Sequence, residues 1–203
     1  MDDLVRQAMA KWPNVPDCYG WLGLDARGNW WMRDDRAQAA GAFDSGLPGS
    51  RGSLLKHEKL IEFIHRNYAC DDRGCWYFQN GPQRVFVELD TTPWIWRLDG
   101  EHGMGVQHDG AVPTASVRSH SGVSAAFLNC LLDEAGRLYL LTTLGFGLVH
   151  TQDMNLAADL VEAGQWQPEA AHAADLPGRY GYVRSPAFIA GDTKGVAPDT
   201  GAA

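Results

Sequence analysis

Asp71-Asp-Arg-Gly74-Cys-Trp76-Tyr-Phe-Gln79-Asn80-Gly81-Pro82-Gln83-Arg84-Val-Phe-Val-Glu88-Leu-Asp90 reads as turn, strand, turn, strand. An aspartate three positions before a glycine bonds its own backbone in a turn, and the glycine takes a left-handed conformation without a Cβ clash. The aromatic run that follows favours extension. Asn80-Gly81 between two such runs is the strongest short-range hairpin signal. In the second strand Val85, Val87 and Leu89 alternate with Arg84, Phe86 and Glu88, so one face is apolar and the other mixed.

The acidic-x-x-Gly step recurs at Asp25-Ala-Arg-Gly28-Asn-Trp30 and at Asp133-Glu-Ala-Gly136-Arg-Leu138, which predicts a fold built from repeated hairpins. Laying Asp71 over Asp133 without gaps also matches Gly74 with Gly136, Tyr77 with Tyr139 and Val87 with Val149. Upstream, Ser53 followed by Leu54 to Tyr68 predicts a capped amphipathic helix, with Leu54, Leu60, Ile61, Ile64 and Tyr68 on its apolar stripe. Strands are expected at Tyr19–Leu24, Asn29–Arg33, Trp94–Leu98, Phe127–Leu132, Arg137–Thr142 and Phe146–His150, with a short helix at Leu156–Ala163.

The expected fold is α+β, in two related halves, each of antiparallel β-hairpins packed with one helix. A helical lead (1–18) precedes the first half (19–98). A Gly/His-rich linker or loop (99–122) joins it to the second half (123–190), and a Gly/Ala/Pro-rich tail (191–203) follows.

With 203 residues, 45% of them apolar, the chain can bury a substantial core. Its net charge of −8 argues against nucleic acid or an anionic membrane as partner. The start lacks a basic segment followed by an apolar run, and no stretch reaches spanning length, so a cytoplasmic protein is expected. Four cysteines, Cys18, Cys70, Cys75 and Cys130, without paired C-x-x-C spacing read as reduced thiols.

From Gly28-Asn-Trp30 through the helix to Arg84-Val-Phe-Val-Glu88-Leu-Asp90-Thr-Thr-Pro93-Trp94, the chain resembles a family of uncharacterised proteobacterial proteins classed as a domain of unknown function. The resemblance covers roughly Gly20 to Gly164 and implies an α+β fold with repeated α/β motifs and a suggested role in signalling or regulation. It carries over no catalytic residue.

Candidate sites follow from residue type and spacing. His57, placed on the helix's apolar stripe, is either a satisfied core histidine or a cleft residue. Glu58, Glu62 and His65 share an arc that could face a metal, although solvated surface is the preferred reading. His102, His108, Asp109 and His120 crowd the long loop without the spacing of a closed zinc module. Arg84 and Glu88 beside the Trp94/Trp96 pair form the expected ligand surface, since aromatic faces with nearby polar groups suit a small planar ligand, a sugar or a peptide. No cofactor, metal or catalytic residue is assigned. The expected function is a regulatory or signalling module binding a small molecule or a protein, and the alternative is an enzyme with its site in a cleft between the halves.

Overall fold

The computed structural model describes residues 1–100 and 115–193, with side chains to residue 190. The fold is α+β and divides into two compact units. Met1–Leu24, Trp30–Asp90 and the chain from Tyr182 make the first, and Asp25–Asn29 with Thr91–Gly181 make the second.

The first unit contains α1 (Asp3–Lys11), β1 (Cys18–Leu24), β2 (Trp30–Met32), α2 (Asp35–Ala40), β3 (Ser53–Leu54), α3 (Glu58–Arg66), β4 (Tyr68–Cys70), β5 (Trp76–Asn80) and β6 (Gln83–Leu89). The second contains β7 (Trp94–Gly100), β8 (Ala115–Ser119), β9 (Ser124–Ala125), β10 (Phe127–Asp133), β11 (Leu138–Thr142), β12 (Gly145–Val149), α4 (Met154–Glu162), β13 (Glu169–Ala171) and α5 (Leu176–Tyr180). The last helix, α6 (Pro186–Thr193), returns to the first unit.

Both sheets follow one plan. The first has the order β3-β2-β1-β6-β5-β4, and its two antiparallel meanders join through the parallel pair β1/β6. The second has the order β13-β10-β11-β12-β7-β8-β9 and joins its meanders through the parallel pair β7/β12. β13 is an addition, running parallel to β10. The gap-free alignment of Asp71 with Asp133 lays β5 on β11 from end to end, so the weak sequence repeat marks strands in equivalent sheet positions.

The acidic turns share one hydrogen-bond pattern. Oδ1 of Asp25 accepts the N–H groups of Arg27 and Asn29, that of Asp71 those of Arg73 and Cys75, and that of Asp133 those of Ala135 and Arg137. The glycines that close them have φ of +80°, +81° and +73°. A fourth turn of this kind, Ser119-His-Ser-Gly122-Val123, uses the Ser119 hydroxyl to accept the Val123 N–H, and Gly122 has φ +84°. A serine in the acidic position hid it from the sequence pattern.

Two local readings shift. The hairpin between β5 and β6 pairs Asn80 with Gln83, so its central residues are Gly81 and Pro82 rather than Asn80 and Gly81. Gly81 has φ +57°, and proline cannot follow with a positive φ, which selects a II′ turn. The helix starts at Glu58, not Leu54: Ser53 and Leu54 pair with Met32 and Trp31 as an edge strand. Within 99–122, where little periodicity was read, residues 99–100 and 115–119 are paired strands.

Side chains alternate across β6 to build two packed faces. Val85 faces Leu60 and Ile64 of α3, and Phe78 on β5 meets Phe63 edge-on at 5.4 Å. On the other face Phe86 stacks on Tyr19 at 4.6 Å, in a cluster that includes Cys75, Tyr77 and Ile189 of α6. The second unit's core gathers Trp96, Leu98, Cys130, Leu140, Leu160 and Trp166 around α4 and its sheet. No helix among the described residues is long and apolar enough to cross a membrane.

Two histidines tie stability to pH. His65 Nε2 accepts the Trp30 indole N–H at 2.9 Å, and His150 Nδ1 accepts the Gln152 N–H at 3.1 Å. Burial lowers the pKa of both, for His65 against the pull of Glu62, and for His150 with help from Arg97 and against Asp153. A histidine whose folded pKa lies below its unfolded one binds fewer protons in the native state, so stability is present above the unfolded value of about 6.5 and drains away as pH falls below it. Tm should therefore start to decline from about pH 6.5 downward, before most carboxylates titrate. A His65→Gln, His150→Gln double variant should flatten that part of the curve. A wild-type Tm constant from pH 7 to 5 would contradict the assignment.

Candidate functional site

Of the four residues expected to form a ligand surface, Trp96 is buried. Trp94 and Trp96 do share a face of β7, stacked with ring centroids 5.9 Å apart. Trp96 is 0% exposed, and its indole N–H donates to the Leu140 carbonyl at 3.2 Å. Gly147 presses against it so closely that an added Cβ would lie 2.5 Å from the indole nitrogen. The cause is the covering of that β7 face by the second unit's core, so Trp96 is a packing residue and presents nothing to a ligand. Trp94 is half-buried beside it. Arg84, in the first unit, lies over the Tyr77 ring at 5.1 Å.

His57 is exposed and off the apolar stripe. It is the N-cap of α3, its Nδ1 accepting the Leu60 N–H at 3.2 Å, because the helix begins one residue later. His65 leaves the arc with Glu58 and Glu62 to bind Trp30. His102, His108 and Asp109 lie outside the described residues, while His120 Nδ1 accepts the Ile95 N–H at 3.3 Å. Among the described residues no three His, Cys, Asp or Glu side chains gather as metal ligands. All four cysteines are free, and burial with nearby Asp71 pushes Cys70 up to about 11. It is a neutral thiol at physiological pH.

Glu88 leads to the better site. It lies on the mixed face of β6, 3% exposed, and lines a cavity of about 230 Å³ with Gly20, Arg33, Gln38, Ala42, Ser185 and Phe188. Each wall has a local cause. Asp34 caps α2 by accepting the Ala37 N–H at 2.8 Å, which fixes the turn carrying Gln38. Gly20, at φ +78°, leaves room for the Gln38 amide, since a Cβ there would stand 2.5 Å from its Oε1. Ser185 and Ala187 open α6, and both donate to Glu88: the hydroxyl to Oε2, the Ala187 N–H to Oε1 at 3.2 Å. A carboxylate at a helix N-terminus is stabilised by free amides and the helix dipole.

Arg33, 4% exposed, lines the same cavity. Its guanidinium donates to the carbonyls of Ser50 at 2.8 Å, Gly20 at 3.3 Å, Ala37 at 3.4 Å and Gly41. A guanidinium has five N–H groups, so one remains over. Arg33 and Glu88 attract each other, yet they form no direct ion pair among the described residues. Burial raises the Glu88 pKa, against the hydrogen bonds from Ser185 and Ala187 and the attraction of Arg33. Burial likewise lowers that of Arg33 against the pull of Glu88. Gln38 Nε2 is buried without a partner among the described residues.

Two other cavities offer less chemistry. One of about 340 Å³ is lined by Leu132, Asp133, Pro168 and His172, but the Asp133 carboxylate is already taken by Arg137, Tyr139 and its own turn. Another of about 230 Å³, between α3 and the first sheet, is almost wholly apolar, with Trp21 and Met32 at its exposed rim. Of the residues lining this cavity, sequence reasoning singled out Glu88 and did not single out Arg33, Gln38 or Ser185. The available signals were a lone arginine ending the Trp30-Trp-Met32 strand and the acidic cap at Asp34.

Fold and site together define an α+β protein of two like-ordered sheets, the first carrying a small cavity with charges of both signs. The chain belongs to the family described as "Protein of unknown function (DUF2946)", whose model matches residues 1–187. No curated protein matches it. Among solved structures, a DUF1285 family protein from Silicibacter pomeroyi DSS-3 is similar at 13% identity and a TM-score of 0.46, over 79% of this chain and 85% of that one.

Proposed function

We propose that the protein binds a small polar molecule in the Arg33–Glu88 cavity and acts as a ligand-responsive regulatory module. The observation that carries this reading is a buried guanidinium and a buried carboxylate lining one cavity without pairing with each other. Burying charge is costly unless it is paired, and a site that holds two such groups apart keeps that cost for an incoming partner. The volume, below the roughly 300–1,000 Å³ of pockets for drug-sized ligands, favours a molecule smaller than a nucleotide.

A thermal-shift screen of small metabolites, followed by calorimetry, tests the reading. A ligand at about 100 times its Kd stabilises the native state by roughly 2.7 kcal/mol. Ala42→Phe, which fills the cavity from its wall, should abolish that shift while circular dichroism stays native. Absence of any hit, or binding unchanged in Ala42→Phe, would remove the cavity from consideration.

A further inference from the structure

We infer that the ligand is a zwitterion with a carboxylate and an ammonium group a few atoms apart, the chemistry of a free α-amino acid. The inference rests on the binding reading above and specifies what the cavity selects. Its two charged side chains differ in sign and in hydrogen-bond capacity. Arg33 keeps one N–H beyond the four it gives to backbone carbonyls, and the Gln38 amide nitrogen, also in the lining, has no partner among the described residues; both are donors, suited to a carboxylate. Each oxygen of Glu88 accepts one hydrogen bond, from Ala187 N–H and Ser185 Oγ–H, and each retains a second acceptor position. Glu88 therefore suits an ammonium group.

Selectivity follows from the same arrangement. A simple carboxylate that engages Arg33 leaves Glu88 buried and repelled, and a simple amine that engages Glu88 leaves the same problem at Arg33. A like charge about 5 Å away, at an effective dielectric of about 20, weakens binding on the order of 100-fold. Only a molecule carrying both charges meets both side chains, so the site discriminates by penalty as well as by attraction. Asp44, which pairs with Arg184 at 2.8 Å, is near enough to act on Glu88 and adds negative charge beside it. Phe188, 69% exposed at the mouth, offers an apolar surface to the side chain of an amino acid.

The experiment compares the common L-amino acids with analogues lacking one charge: propionate and N-acetylalanine without the ammonium, ethylamine and alanine methyl ester without the carboxylate. Calorimetry on the full chain should show at least one amino acid binding roughly 100-fold more tightly than all four analogues. Glu88→Gln keeps an oxygen to accept the Ala187 N–H, while its amide N–H can donate to a turned Ser185 hydroxyl, and it should fold. It should lose roughly 10- to 100-fold for the amino acid and narrow or reverse the preference over N-acetylalanine. A singly charged or neutral compound binding as tightly as any amino acid, and lost in Ala42→Phe, would overturn the zwitterion and leave the binding site standing. Failure of every compound in the broader screen would overturn both.

Discussion

Arg33→Met should destabilise the first unit by about 3–5 kcal/mol, close to the whole stability margin of a modest domain. Methionine preserves much of the stem volume but removes every donor, leaving the carbonyls of Gly20, Ala37, Gly41 and Ser50 without their shared partner. Each buried acceptor left unsatisfied costs about 1–3 kcal/mol, and partial rehydration keeps the total below the sum. Those carbonyls come from β1, α2 and the loop after it, so one guanidinium ties the helix and its loop to the sheet. Arg33→Lys should rescue only part of the loss, because an ammonium cannot reproduce the planar fork. Urea unfolding gives the readout. A midpoint shift worth under about 1 kcal/mol for Arg33→Met would show that the loop holds its shape without the arginine.

Trp96→Ala should cost a similar amount, about 3–5 kcal/mol, in the second unit. The substitution opens a cavity among Leu98, Leu140, Val149 and Leu160, removes the stacking partner of Trp94 and strands the Leu140 carbonyl. Trp96→Phe should fall between the two, since it keeps most of the volume and loses the indole donor. Denaturant melts with a probe in each unit measure the loss. A Trp96→Ala protein as stable as wild type that fails to bind ligand would reinstate the tryptophan as a recognition residue.

These two residues show where sequence reasoning reached and where it stopped. The alternation of β6 correctly placed Val85 and Glu88 on opposite faces, and the acidic turns correctly marked hairpins, because both signals are local and have a period or fixed spacing. The same alternation put Trp94 and Trp96 on one face but could not tell that this face packs inward, which depends on α4 and on strands later in the chain. The cavity was hidden for a similar reason. Arg33, Glu88 and Ser185 are far apart in sequence, and only the return of α6 to β1 and β6 brings the last of them to the first two. His57 failed locally: Ser53 looked like a cap, but Ser53 and Leu54 gain strand bonds with β2, and the helix start moved to the next residue able to accept an amide.

The shared strand order bears on how each sheet meets other chains. The borders of the first sheet are β3 and β4, of two and three residues, and those of the second are β9 and β13, also of two and three. The seven-residue strands β1, β6, β7 and β10 all lie inside their sheets. An edge strand is a template for pairing with a neighbouring molecule, and its danger grows with the number of unpaired backbone groups it displays in a row. By ending each sheet on its shortest strands, a chain rich in extended aromatic sequence gives an aggregating copy little length to grip.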